Sequence, residues 1–456
     1  MRAAAVAVGP RVPESPESAP PAGPAASAAV TAAGPEAAGA EAAGPTRLPT
    51  AVLVLGVAVF ALGTSEFMLS GLLPEVADDL NVSIPSAGLL ISAFAIGMVV
   101  GAPVLAVATQ RLPRRVTLIG LLAAFGIGHV VGALSSGYAL LFASRVVSAL
   151  ACAGFWAVGA AVAISLVPVH ARARAMAVMI GGLSIANIAG VPGGAFLGQH
   201  LGWRSSFWAV TLMTAVALVG VVLFVPRDSG AKGGTGADGA RLRLADELRV
   251  FKDGAVLLAM ATVVAFAAGT FCLFSYLAPL LTDVTGLSES WVPAVLALYG
   301  AGALAGTMIG GRVADAHMFG TLYTGLGGAA AVLATLALTA QFAVAAVLLS
   351  GLLGLASFLV APALNARIFN VAEGAPTLAG ASATSSFNTG NTLGPWVGGL
   401  VINAGLGYVW TAWVGALIAL MGLGLAFAQS RLSAHRSRVI ASGCQPVSSE
   451  SSAVTL

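Results

Sequence analysis

The chain has 456 residues, 58% of them hydrophobic and only 9% charged, with a formal net charge of +3. So little charge over so much apolar surface excludes an ordinary soluble domain, and a small excess of basic residues spread over many loops gives no case for nucleic acid as a partner. The three cysteines, Cys152, Cys272 and Cys444, have no metal-ligand spacing and imply no disulfide framework.

Residues 1–46 are Ala, Pro and Gly with four Glu. They cannot bury a core and read as a disordered cytoplasmic tail whose removal leaves function intact. Charge-free runs then follow at 116–144, 175–203, 205–226, 254–282, 318–366 and 374–430. About 18 apolar residues suffice to span ~30 Å of hydrocarbon at ~1.5 Å per residue. The last two runs exceed one span and are cut near Gln341 and near 405–407. The result is an all-α polytopic membrane protein with twelve helices at 51–73, 86–108, 115–134, 139–161, 173–198, 205–225, 254–281, 291–312, 319–339, 342–364, 377–402 and 408–430. Residues 47–226 form one six-helix bundle and 254–430 a second, joined by a Gly- and charge-rich cytoplasmic linker at 227–253 and followed by a cytoplasmic tail at 431–456.

Of the 21 Lys and Arg, 19 fall in the N-terminal tail or after the second, fourth, sixth, eighth, tenth and twelfth helices. By the positive-inside rule both termini of this multi-pass membrane protein are then cytoplasmic. The opposite loops carry Glu75, Asp78, Asp79, Asp283 and Glu289 with only Arg204, and Trp203, Trp208, Trp291, Trp410 and Trp413 sit near helix ends there, as an interfacial belt would. Arg145 alone lies inside a helix.

The two halves repeat at an offset of 205: Ser70 and Pro74 answer Ser275 and Pro279, Asp78 answers Asp283, Gly97 and Gly101 answer Gly302 and Gly306, and Gly193 and Gly194 answer Gly398 and Gly399. Two equivalent bundles of the same orientation imply a transporter whose halves rock about a central substrate site.

Gly190-Val191-Pro192-Gly193-Gly194 in the fifth helix is similar to the glycine/proline antiporter motif of the major facilitator superfamily, and Arg145 sits where drug exporters of that superfamily carry an Arg. The stretch 311–315, with Arg312 and Asp315, resembles the superfamily's loop motif, and places Asp315 at a helix end for gating or capping. Its first-half copy at 106–115 has Ala106 and Pro113 for the usual glycines and Gln110 for the usual Asp, which leaves Arg114 and Arg115 for helix ends and lipid phosphates. The runs 63–80 and 92–103, with Pro113-Arg114-Arg115, 189–194 and Gly202-Trp203-Arg204, resemble actinobacterial chloramphenicol exporters in the twelve-helix drug:proton antiporter branch. Sugar and purine-nucleoside exporters of that branch share several of these stretches. The resemblance implies the major facilitator fold and proton-coupled efflux of a small amphipathic drug, with chloramphenicol first and antibiotic resistance as the outcome. It further implies a functional monomer in the lipid bilayer, with the proton gradient as energy source and no cofactor.

Glu66 stands out without any family. An acid within a membrane helix is costly and usually faces a cavity. Glu66 and Arg145 both lie ~10 Å from the same end of their helices at ~1.5 Å per residue, which permits a pair, either for proton coupling or as a structural bridge. Burial disfavours the charged form and a guanidinium favours it, which leaves a carboxyl able to exchange protons. Candidate substrate contacts are Gly63, Phe67 and Ser70 beside Glu66, then Phe271, Phe274 and Tyr299, and the amides Asn388 and Asn391. His129 is expected to be a hydrogen-bonded packing residue. Gly190, Pro192, Gly193 and Gly194 are expected to pack the fifth helix against Gly302, Gly306, Gly310 and Gly311 of the eighth, sealing the halves. No nucleophile–His–acid set, HExxH or P-loop occurs, so neither hydrolysis nor ATP-driven pumping has residues to run it. A uniporter on the same fold remains the nearest alternative.

Overall fold

The computed structural model describes residues 48–109, 112–227, 253–371 and 376–443. The expected tail at 1–46, most of the linker at 227–253 and the end of the 431–456 tail lie outside them. Among the described residues the regular structure is helical, with no strand. The long helices are α1 (Thr50–Phe67), α2 (Ile84–Ala108), α3 (Arg114–Leu134), α4 (Tyr138–Ser165), α5, α6 (Arg204–Phe224), α7 (Gly254–Phe274), α8 (Val292–Ala316), α9 (Met318–Thr339), α10 (Ala343–Val371), α11 (Pro376–Asn403) and α12 (Val409–Gly443). Helix α5 has three segments: Arg172–Ile185, a π turn at Ala186–Gly190 and Val191–Leu201. Pro192 lacks the N–H that a continuous α-helix needs there, which fits the interruption just before it.

Eleven of these are long and apolar enough to cross a membrane. The exception, α11, has the length at 28 residues but carries Ser385, Ser386, Asn388, Thr389, Asn391 and Thr392 in its middle. Helix α12 runs past the expected boundary at 430 to Gly443, since no Pro or Gly interrupts 425–442 and Ala and Arg favour helix. Helix α7 stops at Phe274, short of the expected 281.

The repeat extends to all six helix pairs. Adding 205 to α3 gives 319–339, to α4 343–370 and to α6 409–429, against Met318–Thr339, Ala343–Val371 and the start of α12 at Val409. The breaks repeat as well. Helix α1 tightens into a 3-10 turn at Met68–Gly71 before a short helix at Leu73–Asp79. Helix α7 breaks at Ser275 and Tyr276 and resumes at Leu277–Pro279. Ser70 and Ser275, equivalent by the offset, are both fully buried at these breaks, and neither hydroxyl has a partner.

Small residues set which helices touch, and here the expected pairing is corrected. A Cβ at Gly194 would meet Met68 Cβ at 3.3 Å, and Gly182, Gly190 and Gly198 likewise face Gly56, Thr64 and Leu72, so the glycines of α5 pack on α1 within one half. Gly193 has nothing within 4 Å. Gly302, Gly306 and Gly310 lie against the α10 backbone at Gly351, Leu355 and Leu359, again within a half. The α5–α8 contact uses Gly300, whose Cβ would come 2.9 Å from Ile188 Cα. Close backbone approach needs a small residue but does not specify which helix arrives, and each stripe is taken by a helix of its own half.

The first six and last six helices are fastened toward the acidic-loop end. Ser92 Oγ donates to the Thr392 carbonyl at 2.9 Å and Gln199 Nε2 to the Glu289 carbonyl at 2.9 Å. Nearby, Gly88 of α2 leaves room for the ring of Tyr276, whose hydroxyl donates to the Pro395 carbonyl at 2.7 Å. Arg204 bridges Asp79 at 2.7 Å on the same face. Trp203 departs from the expected belt: it is only 3% exposed and packs edge-on against Phe207, while Trp208, Trp291 and Trp410 are exposed. On the opposite face Arg115 donates to the Val222 carbonyl, one of the last carbonyls of α6 that has no helical partner. Arg114 opens α3 and Asp315 falls one residue before the end of α8.

Candidate functional site

Helix α1 carries an acid next to a serine, and the ~100° turn per helical residue sends the two side chains to different neighbours. Glu66, half-buried, lines a cavity between the halves together with Phe67, Ile91, Phe94, Ala95, Phe271 and Asn391. The cavity therefore draws on α1, α2, α7 and α11. Its free volume is about 10 Å³, room for about one water, whereas pockets for drug-sized ligands measure ~300–1,000 Å³. Phe271, the counterpart of Glu66 at offset 205, faces the same cavity from the other half.

An aromatic series continues from it. Phe67 and Phe271 meet across the halves with centroids 5.5 Å apart, Phe271 contacts Phe274 at 5.5 Å, and Phe274 stacks on Tyr299 at 4.4 Å. The Tyr299 hydroxyl is buried with no hydrogen-bond partner. On α11, Asn388 donates through Nδ2 to the Thr384 carbonyl at 3.0 Å, but its Oδ1 and that of Asn391 are buried and unpartnered. Buried polar atoms without partners are uncommon in folded proteins and call for an explanation.

Arg145, 1% exposed, is not paired with Glu66: their charged atoms are more than 4.0 Å apart. The direct bridge that equal depth permitted is therefore not made. The guanidinium instead donates from Nη1 to Ser65 Oγ at 2.8 Å and from Nη2 to the Ser65 carbonyl at 2.9 Å, and lies 4.3 Å over the ring of Phe94. Its Nε has no partner. His129 is buried, and its Nε2 is 2.7 Å from Ser65 Oγ.

The structure thus brings Glu66, Phe67, Phe271 and Asn391 to one cavity, and Phe274 and Tyr299 join them through ring contacts. It turns Gly63 away, toward Leu183 and Ala186 of α5, and leaves Ser70 buried at the helix break outside the cavity lining. Ser65, Ile91, Phe94 and Ala95 were not among the expected site residues. The α2 contribution could have been found from the offset, because Phe94 is the counterpart of Tyr299.

Residues 55–387 match the family model described as Major Facilitator Superfamily. The chain is 41% identical over 370 residues to a chloramphenicol resistance protein of Streptomyces lividans, covering 80% of this chain and 93% of that one. It is 38% identical over 357 residues to the inner membrane transport protein YdhP of Escherichia coli (strain K12), covering 78% and 90%. Among solved structures, a bacterial homologue of the human lysosomal transporter Spinster, inward-facing and unoccupied, superposes with a TM-score of 0.71 at 18% identity over 84% of this chain and 96% of that one. A D-xylose–proton symporter gives 0.68 at 15% identity, over 83% and 96%. The chain belongs to the major facilitator superfamily and is a multi-pass membrane transporter, not an enzyme.

Proposed function

We propose that this transporter exports a small amphipathic drug, chloramphenicol first, across the bacterial cytoplasmic membrane in exchange for protons. The observation that carries the reading is Glu66: an acid inside a membrane helix, free of any direct ion pair, facing a cavity between the two halves. A carboxyl so placed can take a proton from one side and give it up on the other as the halves rock. With the basic loops in the cytoplasm, the face fastened by Ser92–Thr392 and Gln199–Glu289 is the outer one. Substrate then enters from the cytoplasm or inner leaflet, and a proton reaches Glu66 from outside.

The drug assignment draws on the 41% identity to a chloramphenicol resistance protein and on the cavity's chemistry. Aromatic rings at Phe67 and Phe271 suit an aromatic substrate, and the unpartnered Oδ1 of Asn391 in the cavity lining, with that of Asn388 one helical turn along α11, is an acceptor for hydroxyl or amide donors. The cavity must widen to admit such a molecule, which alternating access supplies.

The test is chloramphenicol accumulation in a pump-deficient host expressing the chain, with and without a protonophore, beside Glu66→Gln. Protonophore-sensitive exclusion lost in the variant is the expected result. Full gradient-driven export by Glu66→Gln at normal expression would refute proton coupling through this residue. Unchanged accumulation by the expressed wild-type protein would move the substrate to sugars or nucleosides, and protonophore-insensitive transport would indicate a uniporter.

A further inference from the structure

His129 is buried 1% exposed in the middle of α3 and takes no part in the transport cycle above. Its ring lies between Phe125 and Phe207, with centroids 4.3 Å and 5.7 Å away. Nδ1 is 2.8 Å from the Phe125 carbonyl, Nε2 is 2.7 Å from Ser65 Oγ, and Ser148 Oγ stands at 3.5 Å from Nδ1, the limit of a hydrogen bond. Ser65 Oγ also receives Arg145 Nη1 at 2.8 Å.

The protons in this chain can be assigned by counting donors. A carbonyl only accepts, so His129 Nδ1 carries a proton. A guanidinium only donates, so Arg145 gives its proton to Ser65 Oγ. With the ring neutral, Nε2 is then bare and accepts the single hydroxyl proton of Ser65. The neutral ring with its proton on Nδ1 satisfies every member.

This arrangement has a consequence for Glu66. Arg145 meets its acceptors in the hydroxyl and carbonyl of Ser65, both neutral, and so stays fixed one residue away from the acid without bridging it. We propose that His129 is a positioning residue of the coupling site, acting through Ser65 to hold Arg145 off Glu66 so that the carboxyl remains free to exchange protons. The inference rests on the coupling role of Glu66 proposed above.

Three variants separate positioning from packing: His129→Phe, which keeps an aromatic ring, Ser65→Ala, which removes the hydroxyl, and Ser65→Thr, which restores one. In proteoliposomes with equal pH on both sides, the pH profile of chloramphenicol exchange is measured for each. An arginine released from Ser65 can pair with Glu66, and an ion pair resists protonation. His129→Phe and Ser65→Ala should therefore each move the profile by about one pH unit toward acid, the scale of one lost charge-assisted hydrogen bond. The double variant should add nothing, and Ser65→Thr should match the wild type. Profiles left in place, or effects that add, would overturn the proposal.

Imidazole ¹⁵N spectra of the purified protein test the wiring independently of transport, with His129 assigned by difference from His129→Phe among the five histidines. The expected signature is a neutral ring protonated on Nδ1, with an Nε2 signal that changes in Ser65→Ala. The other tautomer, or indifference to Ser65→Ala, would overturn the inference even if coupling through Glu66 holds. A wild type whose exchange ignores the proton gradient would overturn the coupling reading and, with it, the positioning role, while the spectra would still decide the hydrogen-bond chain.

Discussion

Gly88 offers a wedge for the outer seal. It sits on α2 one turn from the helix start, and a Cβ there would lie 2.9 Å from Tyr276 Cζ in the other half and closer still to its hydroxyl. Tyr276 cannot swing aside cheaply: it is fully buried, and its hydroxyl is held by the Pro395 carbonyl at 2.7 Å. Overpacking of this kind costs about 1–3 kcal/mol. The contact joins the halves at the end where they are fastened, so the cost falls on the closed state alone and shifts the balance toward outer opening by about 5- to 150-fold. Gly306→Ala is the control, because its Cβ would press on the α10 backbone, 2.9 Å from Leu359 N, within one half and so in both states. Spin labels at Asp78 and Ser290, exposed on the two sides of the seal, should report a longer distance in Gly88→Ala, with Cys444 replaced. Gly306→Ala should lower thermal stability and leave that distance unchanged. Tyr276→Phe, which removes the hydroxyl, should partly rescue Gly88→Ala. An unchanged Asp78–Ser290 distance in a folded Gly88→Ala protein would refute the idea that this seal opens during the cycle.

Two other outcomes follow from the same geometry. Burial pushes the Glu75 carboxyl above its ordinary range, against a backbone hydrogen bond, and the charge of Glu289 across the seal adds to the rise. The closed state therefore binds the proton more tightly than a state with Glu75 in water. Its advantage is full at acid pH and fades as pH rises through the raised value. The Asp78–Ser290 distance should lengthen with rising pH and lose that dependence in Glu75→Gln; lengthening in acid would contradict it. At Tyr299, loss of a buried hydroxyl without a partner removes a desolvation penalty of ~1–3 kcal/mol and keeps the Phe274 stack. Tyr299→Phe should then be at least as heat-stable as the wild type while raising the KM for export, and a clear loss of thermal stability would mean the hydroxyl is already bonded.

Much of this fold was legible because charge is excluded from the hydrocarbon: Arg111, Arg172, Arg312 and Arg367 mark helix ends, and the offset of 205 fixes the partner of each helix. The polar middle of α11 was also visible as Asn388 and Asn391. What failed was direction around the helix. Equal depth along α1 and α4 made a Glu66–Arg145 pair plausible, but one residue along α1 turns the side chain by ~100°, so Arg145 found Ser65 and Glu66 found the cavity. The glycine stripes failed for a related reason: Gly302 and Gly306 showed that something approaches closely, and α10 rather than α5 does. Trp203 lies near a helix end as a belt residue would, but it turns into the core against Phe207.

The repeat exposes how the two halves divide the work. Ser65 corresponds to Thr270, and both hydroxyls reach across to the fourth helix of their half: Ser65 to Arg145 of α4, Thr270 to Ser357 of α10 at 3.2 Å. A bond between the same two helices is kept while its charge is lost, and it lands elsewhere on the fourth helix: Arg145 corresponds to Ser350, whereas Ser357 corresponds to Cys152, and His129 and Glu66 correspond to Ala334 and Phe271. Phe94 and Tyr299 are likewise equivalent: one carries the guanidinium of Arg145 on its face, the other stacks on Phe274 with an unpartnered hydroxyl. If the charged set served only to hold α1 against α4, the neutral Thr270–Ser357 bond shows that a hydroxyl pair can join the equivalent helices. Buried charge is costly in a membrane protein, and it persists in one half where a neutral hydroxyl pair suffices in the other. On the proposed reading the first half moves the proton and the second holds the substrate, with Glu66 and Phe271 meeting at the cavity where the two tasks compete.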